Sequence, residues 1–430
     1  YVGTSYNMDP AAREVLSWRG AGGSAGAGAG AGGAADLPAL MKRFRRCDSA
    51  TMSRFFAQLL LELLAMLECA PDAGQGAVFE SIVHMLDVTI ARHNDQAVLF
   101  DRFFAEYRGG MPRVGERLLA LLTVHFAGFA THWDSTGRAL CRTSVLVLRL
   151  ADASLRRRAD FAALGYRFVD AIAAFLASRK ETFITDQLLV LKTLELYLDV
   201  LARSFQVAEL ASFAASWIGA TGLRGLASLP DDSANALVNR RRGREHSVLI
   251  TKLLFMRRLL HGFIMHQGTP ASRQLLVVSC FKIAYRVLMN PTVDLECARL
   301  ALGVLLAVPY AETGGAPDSG HAHAHSRTHA HANVLAPGTA IALFRSLPFL
   351  CRAFNRFHEH LAHSGALGRP KRTYTQLFPN CYPFTRYTMD SIVTDEMFSE
   401  VLIELAVVFC SFVRVAHARA CLLYTSDAAD

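Results

Sequence analysis

The sequence predicts an all-α fold of stacked helix pairs interrupted by long insertions, and three observations predict it. Apolar residues recur in steps of three and four over most of the 430 residues, which puts them on one face of a 3.6-residue helix. No run alternates apolar and polar residues for long enough to make a strand. Leu, Ala and Arg, all good helix formers, dominate the stripes, and short corners rich in Pro, Gly or Asn separate them. One helix cannot hide its apolar stripe alone. Several joined by short corners can stack, which is the logic of an armadillo- or HEAT-like α-solenoid.

Residues 1–36 read as a disordered, Gly/Ala-rich segment, because residues 21–35 are almost pure Gly and Ala and offer little to offset the entropy of ordering. Two short motifs fall here: G-x-S-x-G at Gly22, Ser24 and Gly26, and G-x-G-x-x-G at Gly28, Gly30 and Gly33. Each needs a strand before it and a helix after it, and the composition supplies neither.

The helical array is expected over 37–308. Its clearest stretch is 49–107. Asp48 and Ser49 can cap the first stripe of Phe56, Leu59, Leu60, Leu63 and Leu67. A second stripe is Phe79, Ile82, Val83, Leu86 and Ile90, and a third is Phe100, Phe103, Phe104 and Tyr107. Pro71, Asp72 and Gly74 break the chain before the second, and His93, Asn94 and Asp95 turn it before the third. Further helices are predicted over 114–130, 136–153, 161–177, 183–205, 207–218, 247–267, 272–289 and 293–308. The stretch 118–133 lacks Asp, Glu, Lys and Arg, but its Thr, His and Gly content and its length read as a buried helix and not as a membrane span of about 20 apolar residues.

Residues 221–246 are expected to be a basic loop. Gly222, Gly225, Pro230, Asp231 and Asp232 come first, then Arg240, Arg241, Arg242 and Arg244. Those arginines are the candidate patch for an anionic lipid or an acidic partner, set against the plainer reading of a solvated loop. Residues 309–337 read as a disordered, His-rich insertion. His321, His323, His325, His329 and His331 could collect a divalent metal adventitiously, but no Cys or rigid scaffold is present to build a metal site. The array resumes over 338–420. There His358, Glu359 and His363 miss the H-E-x-x-H spacing by one residue, so the imidazoles diverge around the helix. Residues 421–430 break the pattern and read as a non-native tail.

Composition sets the function classes. With 52% hydrophobic and 19% charged residues the chain can bury a large core. A net charge of +8 is mild at this length, and no aromatic-interleaved basic stripe argues for nucleic acid. Nine cysteines without C-x-x-C, among them Cys69, Cys280, Cys297 and Cys410 within apolar stretches, read as free buried thiols of a reducing cytoplasm. There is no P-loop, no kinase set and no paired Cys/His spacing. Asp87 and Asp199 inside apolar runs read as capping or surface groups. No cofactor and no catalytic residue is expected. The chain opens on Tyr1, which reads as an internal stretch of something longer.

Four passages resemble the helical-repeat region of the DOCK (dedicator of cytokinesis) family. MSRFFAQLLLELLAM at 52–66 looks like its x-x-x-F-L-Q-x-x-x-D-A-L helix, and FESIVHMLDVTIARHNDQAVLFDRFFAEY at 79–107 like the pair that follows. Residues 168–213 resemble a later hairpin ending F-x-x-x-E-L-x-x-F, here Phe205, Glu209, Leu210 and Phe213. LFPNCYPF at 377–384, with 400–412, is similar to a junction in fungal-type members. At one corner the family carries Asp-Arg-Lys/Arg-Phe, where this chain has Ala91, Arg92, His93 and Asn94. The resemblance implies a scaffold segment of a guanine-nucleotide exchange factor for Rac- or Cdc42-type GTPases. It further implies a lipid-binding C2-like region before the repeats and a catalytic region after them, protein partners, a cytoplasmic protein recruited to the membrane periphery, and no enzymatic residues in the repeats. The alternative is an unrelated HEAT- or armadillo-type adaptor, marked by a ladder of similar residues at about 40-residue spacing.

Overall fold

Every regular element among the described residues is a helix. The computed structural model describes residues 8–18, 37–92, 96–107, 111–131, 135–154, 158–222, 236–290 and 295–312, with short helical pieces at 345, 347–353, 355, 404–410 and 412–413. The fold is all-α and repeat-like. Its contacts divide it into two units, residues 1–175 with 196–205, and residues 176–195 with 206–430.

The first unit begins with α1 (Pro10–Leu16), α2 (Leu37–Phe44) and α3 (Ser49–Arg54). Helix α1 corrects the expectation of disorder across 1–36. Asp9 accepts from the Ala11 N–H at 2.8 Å, Pro10 opens the helix, and Ala11, Ala12 and Val15 are buried against α2 and α4. A cap and a small apolar face suffice where a neighbour supplies the larger side chains. The glycine motifs at 22–33 lie outside the described residues.

The chain bends at Phe55 into α4 (Phe56–Cys69), then runs through α5 (Asp72–Arg92) and α6 (Gln96–Glu106). The stripe Phe56, Leu59, Leu60, Leu63 and Leu67 is wholly buried, as are Phe79, Ile82, Val83 and Leu86. Ile90, Phe104 and Tyr107 are half-buried at the margin. Phe56 meets Phe100 and Phe103 edge to face, with centroids 5.2 and 5.9 Å apart. Burying each such side chain contributes about 2 kcal/mol, so one stripe offsets much of the entropy of ordering its helix. The corner at 93–95 lies outside the described residues.

Next come α7 (Pro112–Ala127), α8 (Ser135–Ser154), α9 (Arg158–Ala177), a 3₁₀ turn (Glu181–Phe183) and α10 (Ile184–Leu201). Helix α7 holds most of the stretch 118–133, and Leu118, Leu119, Leu122 and Phe126 are buried. No single described helix is long and apolar enough to cross a membrane. The ring of Phe205 lies over Gly165, where an added Cβ would sit 2.7 Å from the ring.

Polar contacts in this unit join residues about one helix pair apart. Arg142 pairs with Asp87 across 55 residues, Arg149 with Asp101 across 48, and Arg203 with Asp152 across 51. The Tyr107 and Ser154 hydroxyls meet across 47 residues, and those of Ser144 and Tyr197 across 53. A recurrence near 50 is what successive stacked helix pairs produce.

In the second unit, α11 (Val207–Ala220) packs on α14 (Pro270–Leu288), while α12 (Ala236–His261) packs on α15 (Leu295–Glu312) and α14. The short α13 (Phe263–Gln267) turns the corner between α12 and α14. Two boundaries differ from expectation. Helix α12 starts at Ala236 and takes up the last eleven residues of the expected 221–246 loop, because Gly222, Gly225, Pro230, Asp231 and Asp232 all lie before it and arginine is itself a good helix former. Helix α15 runs through Pro309 to Glu312, since a proline close to a helix end removes only one hydrogen bond. The histidine tract, His358–His363 as a group, and 421–430 lie outside the described residues. Cys280 and Cys297 are buried, but Cys69 and Cys410 are exposed, each placed where the apolar face has turned away.

Candidate functional site

The arginines singled out by sequence fall on the first turns of α12. A helix advances about 100° per residue, so backbone positions 240, 241 and 244 fall within one arc of about 100° and position 242 falls off it. Arg244 is exposed. Positive charge does concentrate here. Residues 236–312 hold eleven Lys and Arg against four Asp and Glu.

The waist of α12 is the chemically unusual part. Residues 246–253 are buried on every face, and four of them are polar: His246, Ser247, Thr251 and Lys252. Lys252 is 1% exposed, and its Nζ donates to the Gly222 carbonyl at 2.6 Å. Gly222 has a positive φ of 58°, the left-handed conformation that ends α11 after Thr221. The lysine thus ties the end of one helix to the middle of another. Burial pushes its ammonium down to about 7, with Arg286 acting in the same direction and Cys280 against it. Burial likewise pushes the fully enclosed Cys280 thiol up to about 12. A thiol so held is inert toward electrophiles. His246 Nδ1 lies 3.8 Å from Cys297 Sγ. Ser247 donates to its own helix at Gly243.

A buried lysine with a lowered pKa is a familiar mark of catalytic sites. Here no substrate could reach it, and its proton is engaged with a backbone carbonyl. Among the described residues no three His, Cys, Asp or Glu side chains gather as a metal site. Sequence reasoning passed over Lys252, although one cation inside the apolar run SVLITKLLFM was the available signal. Asp87, read as a surface group, pairs with Arg142 through two contacts of 2.6 Å.

The described part of this region is thus an enclosed tether, Lys252 to Gly222, in a helix that starts with a basic stretch. No family model matches the chain. It is 23% identical over 440 residues to a curated protein of Saccharomyces cerevisiae. That relative is named DOCK-like protein 1. The similarity covers 97% of this chain but only 21% of DOCK-like protein 1, so the chain spans about a fifth of the relative's length. An identity of 23% supports a distant DOCK-like relationship.

Proposed function

We propose that the chain is the helical-repeat scaffold of a DOCK-type guanine-nucleotide exchange factor for Rho-family GTPases of the Rac or Cdc42 kind. The observation that carries the reading is the similarity to DOCK-like protein 1 across 97% of the chain. The helical stack supports it, because a spacer needs stiffness and near-neighbour contacts, and packed helix pairs supply both. In this reading catalysis and membrane binding belong to other parts of a longer cytoplasmic protein, and the α-solenoid fixes their separation. The GTPase is engaged through the catalytic part, the membrane periphery through the lipid-binding part, and neither nucleic acid nor a cofactor takes part. The arginines at 240–244 serve as a contact for an acidic partner. Release of a fluorescent GDP analogue from Rac- and Cdc42-type GTPases tests the division of labour. The purified chain should leave the intrinsic rate unchanged, and a clear acceleration would overturn the reading.

The 50-residue recurrence of polar contacts also suits a HEAT- or armadillo-type adaptor with no exchange activity anywhere in its parent. It ranks second because the sequence similarity points to the exchange-factor family.

A further inference from the structure

Helix α14 carries eight large or small apolar side chains into the core, among them Leu276, Val277, Cys280, Ala284 and Val287. The opposite face holds a second row. Leu275, Val278, Lys282, Tyr285 and Met289 follow one another in steps of 3, 4, 3 and 4, the spacing of a heptad seam. Leu275 is 41% and Val278 45% exposed, Lys282 is exposed, and Tyr285 and Met289 are half-buried. Arg286 flanks the row and is exposed. Phe349, 40% exposed, stacks on Tyr285 with centroids 5.5 Å apart, and the Arg352 guanidinium lies over its ring at 4.9 Å. No Asp or Glu occurs anywhere on the helix, and neither Lys282 nor Arg286 makes an ion pair among the described residues.

We infer that this outer row of α14 is a docking seam for an acidic amphipathic helix of another protein. Aliphatic side chains at Leu275 and Val278 would seat between those of the incoming helix, and carboxylates on it would meet Lys282 and Arg286. The row runs about 21 Å, or four turns, which is two heptads; Phe349 covers its Tyr285 end, so the open part is the Leu275, Val278 and Lys282 end. A cation at one seam position sets register, because only one alignment gives it a carboxylate. Other occupants fit less well. Two copies of this chain joined through α14 would set cation against cation with no carboxylate to separate them. A bilayer takes up a continuous apolar face, whereas this row is interrupted by charge at its centre. The inference stands apart from the exchange-factor reading and would hold equally for an adaptor.

Anisotropy of a fluorescein-labelled synthetic peptide tests it on the full chain. The peptide has three heptads, with Leu at the seam positions except for one central Glu, and Glu and Gln elsewhere. It should bind, whereas a scrambled peptide of the same composition should not. Lys282→Glu with Arg286→Glu should weaken binding about tenfold or more, and a peptide with Lys in place of the acidic residues should bind that variant. This regained binding separates a lost contact from a lost fold. Val278→Asp should abolish binding of the acidic peptide. Equal binding of the scrambled peptide, or indifference to these substitutions, would overturn the proposal. So would association with phosphatidylserine vesicles that depends on Lys282 while the ordered peptide is ignored, or self-association that Val278→Asp abolishes.

Discussion

Replacing Lys252 with Met should change how the second unit responds to pH. The side chain is 1% exposed and sits in a helix waist buried on every face. Burial lowers its pKa from 10.5 to about 7. Below pH 7 both folded and unfolded chains hold the proton, and this group gives no pH dependence. Between pH 7 and 10 the unfolded chain holds the proton while the folded chain has released it. Stability therefore rises with pH, at a limiting slope of about 1.4 kcal/mol per unit for one proton. Above both pKa values the slope vanishes. The neutral amine still donates to the Gly222 carbonyl, so the tether survives deprotonation. Methionine fills the same volume without a proton to lose. Urea unfolding at pH 7.5, 8.5 and 9.5 reads the effect, taking these as about the centre of the window. The probe is Trp217, fully buried in α11, in a chain with Trp18 and Trp133 changed to Phe. Stability of the Lys252 chain relative to Lys252→Met should climb by about 1 kcal/mol per pH unit. Parallel pH profiles for the two chains would refute the burial argument.

Gly165→Ala should destabilise the first unit by about 1–3 kcal/mol, because the new methyl meets the Phe205 ring. Phe205→Leu in the same chain should recover part of that loss in thermal unfolding. Asp48→Ala should cost about 1 kcal/mol, since the carboxylate accepts from the Thr51 N–H and hydroxyl at the start of α3. Those Thr51 bonds hold the Asp48 pKa below its ordinary value. The cap is thus intact above that ordinary value and is lost only as pH falls through the lowered one, which a melting series in acid would show.

The fold was legible because helix periodicity is a local signal. Phe56 to Leu67 and Phe79 to Leu86 announce their buried faces by spacing alone, and the structure buries them. What escaped depended on neighbours. Helix α1 has only Ala11, Ala12 and Val15 to bury, and its order comes from the surfaces of α2 and α4. The start of α12 was masked by charge, since a run of arginines resembles a solvated loop until the burial of Gly243 and His246 is seen. Lys252 looked like an interruption in an apolar run because its acceptor, the Gly222 carbonyl, is 30 residues away. The outer row of α14 was hidden by the inner one: both faces are apolar, and only packing tells which is covered.

The uninterrupted transcript around these 430 residues tests the central claim most directly. If the stack is the spacer of an exchange factor, the reading frame continues past Arg419 into a region able to expel GDP from a Rac- or Cdc42-type GTPase. A stop codon shortly after Arg419 in a clean transcript would contradict the account.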